Sequence, residues 1–249
     1  MKKERLDKIL SHHGFGSRKD VKTLVRKGLV QVNGKICLNC ETGIDDEADE
    51  IFVDGEKVVL RKNVYIMMNK AQNVVTSTKD GIHRTVLDEL SDDYKINFLG
   101  GNLHPVGRLD VDTEGLLLLT TDGSLTHHLT SPKNHVPKTY FVVLKNPVAS
   151  SEQQNLVKKF ALGFEVVPDG NESAFCCQSA NLVWISENSA QLTIHEGKYH
   201  QVKRMFKTFE NEVIFLKRIS VGKLCLDEKL STGEYRELTE EELSLLLEN

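Results

Sequence analysis

Nowhere does the sequence hold an apolar run approaching the roughly 18 residues that a membrane-spanning helix needs. The opening MKKERLDKIL carries charges straight into an amphipathic pattern and lacks the apolar core and small-residue cleavage site of a secretory signal. The expectation is a soluble, cytoplasmic protein with no membrane partner. Cysteine is sparse and irregular: five residues, an odd number, fit a reducing compartment better than a disulfide framework. Cys37 and Cys40 form one C-x-x-C, but only Cys176, Cys177 and Cys225 remain, so no second pair completes a zinc site. These cysteines are expected to act as small apolar residues, and no metal is expected. Also missing are G-x-x-x-x-G-K-[ST], G-x-G-x-x-G, H-E-x-x-H and G-x-S-x-G. Nucleotide hydrolysis, hydride transfer, zinc proteolysis and serine esterase chemistry lose support. There is no internal repeat, low-complexity tract or long linker.

With 249 residues the chain has room for two domains, each with its own core. A net charge of −4 is low for a nucleic-acid binder, but the charge is unevenly spread. From Met1 to Lys35, ten lysines and arginines, beginning at Lys2 and Lys3, face only Glu4, Asp7 and Asp20. From Glu41 to Glu56 the acids Asp45, Asp46, Glu47, Asp49, Glu50 and Asp54 meet no basic residue. The average hides two opposite surfaces.

Leu6, Ile9 and Leu10 recur at helical spacing. Ser17 to Asp20 reads as a capping box opening a second helix that buries Val21, Leu24 and Val25. Arg18, Lys22 and Arg26 lie four apart on that helix and share one stripe, which is either a solvated face or an RNA contact. Asn33-Gly34 and Asp54-Gly55 each sit between short β runs and predict hairpins. Charged Arg61-Lys62-Asn63 marks the expected domain boundary, because the apolar run VYIMMNK follows it. Beyond it, FVVL, LVWI, QLTI and EVIFL alternate with helical stretches, an α+β pattern.

The conspicuous segment is GRLDVDTEG from Gly107. An arginine, two aspartates, a threonine and a glutamate crowd the entrance of the wholly apolar run Leu116 to Leu119, which reads as a buried strand. Such a loop at a sheet end is either a site or a turn with solvated acids. In KYHQVKRMFKTF, Val202, Met205, Phe206 and Phe209 define the apolar face of a helix, and Lys203 and Lys207 share its flank. That flank could supply the cation a buried carboxylate needs.

Helix, basic helix, hairpin and closing strand within residues 1–62 resemble the S-four-like RNA-binding domain, notably in RLDKIL, SRKDVKTLVRKG and VQVNGK. GRLDVDTEGLLLLTTDG, KTYFVVLK, EGKYHQVKRMF and GEYRELTEEE, in that order, resemble the RsuA-type branch of the pseudouridine synthases. The first motif of that family usually runs Asn-Lys-Pro-x-Gly; here Asn69-Lys70-Ala71-Gln72-Asn73 has lost both chain breakers.

The resemblance implies an S-four-like domain followed, over residues 63–249, by a catalytic domain with a central, mostly antiparallel sheet flanked by helices. It implies isomerisation of one uridine in ribosomal RNA without cofactor, metal or energy source. The leaving base is detached from its ribose, a task related to glycoside cleavage, where a carboxylate answers the charge at the anomeric carbon. By family position that carboxylate is Asp110 and not Asp112; residue spacing alone does not separate them. Lys203 matches the basic residue that pairs with it, Tyr140 the aromatic that stacks on uracil, and Arg108 the arginine that helps hold the flipped nucleotide. Arg18, Lys22 and Arg26 would add RNA contacts. EGKYHQVKRMF and TSPKNHVPKTY are similar to the small-subunit branch, which implies 16S RNA, free or in a partly assembled particle; the absence of an obvious exposed apolar helix points to a monomer. A 23S target, and an RNA-binding assembly factor without catalysis, are the alternatives.

Overall fold

The structure, a computed structural model, describes residues 3–45, 48–58, 63–91, 94 and 102–247. Two compact units emerge: Met1–Tyr65 with Leu90–His104 and Thr120–Asp122, and Ile66–Glu89 with Pro105–Leu119 and Gly123–Asn249. Arg61 and Lys62 at the expected boundary lie outside the described residues, as do Lys2, Asp46 and Glu47.

The first unit follows its local signals. Helix α1 spans Leu6–His12 and α2 spans Arg18–Arg26. At the start of α2, the Ser17 N–H donates to Asp20 Oδ2 at 2.8 Å and the Asp20 N–H donates to Ser17 Oγ at 3.4 Å. Two donors left over by the first helical turn are thereby satisfied. Strands β1 (Val30–Val32), β2 (Lys35–Ile36), β3 (Ile51–Val53) and β4 (Glu56–Val58) form an antiparallel sheet in the order β2-β1-β3-β4. Both expected hairpins are present. Asn33 and Gly34 have φ of 52° and 73°, Asp54 and Gly55 of 52° and 84°, the left-handed pairs that match the twist of the flanking strands. Leu6, Ile9, Leu10, Val21, Val25, Val30 and Ile51 make the core, with half-buried Leu24, Cys37 and Cys40 packed against it. Arg18, Lys22 and Arg26 are all exposed.

The second unit is α+β. Its strands are β5 (Tyr65–Lys70), β6 (Glu114–Thr120), β7 (Lys138–Leu144), β8 (Asn181–Trp184), β9 (Ser189–Ile194), β10 (Val213–Val221) and β11 (Tyr235–Glu237). They run in the order β8-β9-β7-β10-β6-β5-β11, mostly antiparallel, with β10 and β6 paired in parallel. Helices α3 (Gly123–Thr130), α4 (Ser150–Leu162), α5 (Gln201–Lys207) and α6 (Glu240–Leu247) accompany the sheet. The Leu116 to Leu119 run is buried along its whole length, and both of its edges are paired, with β5 on one side and β10 on the other. Helix α5 is shorter than its apolar spacing predicts. It ends at Lys207, and Phe209 reaches the core from beyond the helix, its ring 4.9 Å from Phe164 and 5.8 Å from Phe160.

Gly115 explains why β6 can lie against β10. Its φ is +100°, and a Cβ there would meet Arg218 O at 2.2 Å and Arg218 N at 2.8 Å, both backbone atoms. Neither can move without opening the parallel pairing of Lys217 with Glu114 and Arg218 with Gly115. Gly115→Ala is therefore expected to lower unfolding free energy by about 3 kcal/mol or more, combining backbone strain with overpacking. Denaturant unfolding measures this, and a loss under about 1 kcal/mol would contradict the close approach.

Candidate active site

The polar segment GRLDVDTEG forms the loop that enters β6, and the chain just after β5 holds it in place. Thr76 Oγ1 donates to Leu109 O at 2.8 Å, and the Asn73 N–H donates to Val111 O at 2.8 Å. Lys70, fully buried at the end of β5, directs its ammonium at the same loop. It donates to the carbonyls of Ala71 (2.9 Å), Asp110 (3.1 Å), Val111 (3.4 Å) and Thr113 (3.0 Å). Burial drives the Lys70 pKa down to about 8, although the charges of Asp112, Asp110 and Glu114 resist the fall. The loss of both chain breakers from this segment is partly met by a local substitute. Asn73 stands where the family pattern has glycine and adopts φ 63°, a left-handed conformation that asparagine tolerates better than most residues.

Asp110 faces Lys203, whose Nζ lies 3.1 Å from Asp110 Oδ2 and 2.5 Å from Asp112 Oδ1. One ammonium thus bridges two carboxylates. Burial pulls the Lys203 pKa down, but the Asp112 hydrogen bond and the Asp110 charge outweigh it and hold the group above its ordinary range. For Asp112, burial pushes upward and Lys203 more than cancels it, so the carboxyl stays below the usual range. His200 Nε2 is 3.7 Å from Asp110 Oδ1; this residue precedes α5 with φ 48° and ψ 31°, another left-handed non-glycine. Lys207, on the same flank as Lys203, is taken by Asp169 at 2.6 Å and does not approach the loop.

The two acids differ in what they face. Asp110 lines a small cavity of about 90 Å3 together with Arg108, Tyr140, His200 and Leu216, whereas Asp112 lies outside it and its side chain is 61% exposed. Period-two alternation along β7 sends Lys138, Tyr140, Val142 and Leu144 to one face, so Tyr140 forms an aromatic wall at 8% exposure. A register shift between Thr139 and Tyr140 sets Tyr140 opposite Arg218 of β10, skipping Ile219. Bulges of this kind re-aim side chains beside sites.

The structure therefore brings Asp110, Tyr140, Lys203 and Arg108 together. Arg18, Lys22 and Arg26 lie on α2 in the first unit. Sequence reasoning missed Lys70, His200, Lys138 and Arg218. It also missed Arg204, buried with its guanidinium donating to Val167 O at 3.0 Å and Ser173 O at 2.6 Å. For Lys70, Lys138, His200 and Arg204 a signal existed, since all four sit inside motifs already singled out.

Residues 64–208 match the model of the RNA pseudouridylate synthase family, and residues 4–39 match the S4 domain. Fold and site define an RNA-modifying enzyme carrying an RNA-binding module. The chain belongs to the RNA pseudouridylate synthase family, whose members are isomerases. It is 45% identical to an uncharacterised RNA pseudouridine synthase of Bacillus subtilis strain 168, over 98% of each chain. It is 39% identical to ribosomal small subunit pseudouridine synthase A of Escherichia coli K12, over 96% of this chain and 98% of that one. A crystal structure of a pseudouridylate synthase superposes with a TM-score of 0.63 at 37% identity, covering 97% of this chain and 99% of the other.

Proposed function

We propose that this protein isomerises one uridine of 16S ribosomal RNA in the cytoplasm. In this reading residues 1–62 bind RNA and residues 63–249 perform the chemistry. The observation that carries it is the Asp110 carboxylate, held 3.1 Å from Lys203 and opening onto the cavity walled by Tyr140. Isomerisation breaks one C–N bond to the ribose and forms one C–C bond; a proton leaves the ring carbon and one joins the freed nitrogen. Asp110 answers the charge that develops at the anomeric carbon, either electrostatically or by bonding to it. Lys203 sets its ammonium 3.1 Å from that carboxylate and fixes it at the pocket wall. Tyr140 offers its ring to the extruded uracil, and Arg108, at the rim, offers a cation to the nucleotide's phosphate. Extrusion costs a few kcal/mol, which stacking and backbone contacts offset. Arg18, Lys22 and Arg26 supply further sequence-independent contacts whose strength falls with salt.

The 16S assignment draws its support from the small-subunit synthases of Escherichia coli K12 and Vibrio cholerae, similar to this chain at 39% and 41% identity. Transcribed 16S and 23S RNA, each free and as partly assembled particles, incubated with the protein and mapped for pseudouridine, test it. One new pseudouridine in 16S is expected. Modification of 23S alone would overturn the target, and RNA binding without isomerisation on any substrate would overturn the reaction.

A further inference from the structure

Beside the Asp110 pocket lies a larger cavity of about 460 Å3, and the two share Arg108, Tyr140, Gly197 and Lys198 as common wall. Its volume falls in the range of small-ligand sites. Four cations line it: Arg108, Lys138, Lys198 and Arg218. Glu196 is the acid in the lining, and it is already occupied. It accepts from the Gln178 N–H at 2.9 Å and from Gln201 Nε2 at 2.7 Å, and it lies 3.6 Å from Lys198. Lys198 is engaged as well, donating to Cys176 O at 3.0 Å and lying over the Phe175 ring.

Lys138 and Arg218 are different. Arg218 is 3% exposed and donates from Nε to Leu116 O at 2.8 Å; Lys138 is half-buried and donates to Val136 O at 3.0 Å. Among the described residues neither makes an ion pair. Burial first, and the Arg218 charge second, bring Lys138 down to about 8. Two like charges are thus held together, partly desolvated, with no carboxylate between them. A fold bears that cost when an anion completes the group in the working state.

We infer that this cavity is a phosphodiester subsite, in which Lys138 and Arg218 grip the backbone of the nucleotide next to the uridine held at Asp110. The inference rests on the proposed function for the identity of the chain as RNA, and it makes Lys138 a substrate-binding residue. The geometry fits a strand that passes from one cavity to the other along the Arg108 and Tyr140 wall. A phosphate there neutralises the pair and accepts the ammonium donors that Val136 leaves unused.

Lys138→Gln and Lys138→Arg test it, with 16S RNA as the probe, read by equilibrium binding at several salt concentrations and by kcat and KM. Lys138→Gln is expected to weaken binding about tenfold and to reduce the steepness of the salt dependence by about one ion. KM should rise in parallel, kcat should fall less than about threefold, and Lys138→Arg should restore most of the loss. Unchanged affinity and salt slope would overturn the inference. So would a collapse of kcat at constant KM, which would place the reacting uridine itself in this cavity. Should Lys138→Gln fail to fold, the wild type gives an independent reading. Acetylation of Lys138 by an amine-reactive reagent, followed by mass spectrometry, is expected to be blocked by saturating RNA, and undiminished labelling would overturn the subsite. Because binding and labelling need no turnover, failure of the isomerase reading appears separately as absence of pseudouridine with the wild type.

Discussion

Lys70→Met is expected to lower kcat by about a hundredfold or more while leaving RNA affinity within a few fold. Lys70 touches no substrate position in this account; it positions the loop that carries Asp110. Its ammonium serves three carbonyls of that loop, those of Asp110, Val111 and Thr113, and the carbonyl of its own neighbour Ala71. Methionine fills the volume and supplies no donor. The Asp110 and Val111 carbonyls keep the Thr113 and Asn73 N–H groups, whereas Ala71 and Thr113 lose their side-chain donor. Each buried carbonyl left short costs about 1–3 kcal/mol, part of which is offset because no ammonium is desolvated any longer. For Asp110, the carboxylate proposed to act, a displacement of about 1 Å suffices for a hundredfold loss.

Lys70 also predicts opposite pH trends for activity and stability. With a folded pKa of about 8 and an ordinary value of 10.5, it loses its proton in the folded chain before the unfolded one. Between those values the unfolded state binds more protons, so this residue's contribution to unfolding free energy rises with pH. Activity falls over the same range, because the neutral amine has fewer donors for the loop. Urea unfolding of wild type and Lys70→Met from pH 7 to 10.5 should show their stability difference shifting toward the wild type. A flat difference would mean that the lysine is not desolvated.

The second large effect is expected at Asp110. Asp110→Asn preserves shape and removes the charge proposed to act at the sugar, and the rate should fall about 10³-fold or more. Asp112→Asn should cost less than about tenfold, since that side chain is mostly exposed and lies outside the pocket. Losing the Asp112 partner leaves Lys203 free to turn fully to Asp110. The pair of variants separates two acids that lie two residues apart and share one lysine.

What could be read from the sequence was whatever is written within a few residues. Ser17 and Asp20, Asn33-Gly34, Asp54-Gly55, the Leu116 to Leu119 strand, and Val202, Met205 and Phe206 each carry a short-range pattern, and each forms the expected element. What escaped is fixed at long range. Lys70, Arg204 and Arg218 are buried cations, and composition places a cation outside; the carbonyls that satisfy Lys70 and Arg218 come from 43 and 102 residues away. Gly115 looks like any glycine until β10 is laid against it. The preference for Asp110 came from family position, and no local rule distinguishes it from Asp112; their different exposure, one lining the cavity and the other facing outward, arises only in the folded chain. Lys207 shows the converse, a lysine whose helical position matches that of Lys203 but whose partner, Asp169, lies elsewhere.

The most direct test of the central claim is a side-by-side assay of wild type, Asp110→Asn and Asp112→Asn on 16S RNA, with RNA affinity and thermal unfolding measured on the same preparations. One pseudouridine is expected from the wild type and from Asp112→Asn, none detectable from Asp110→Asn, and three proteins alike in folding and binding. Persistent activity in Asp110→Asn, or its loss in Asp112→Asn alone, would contradict it.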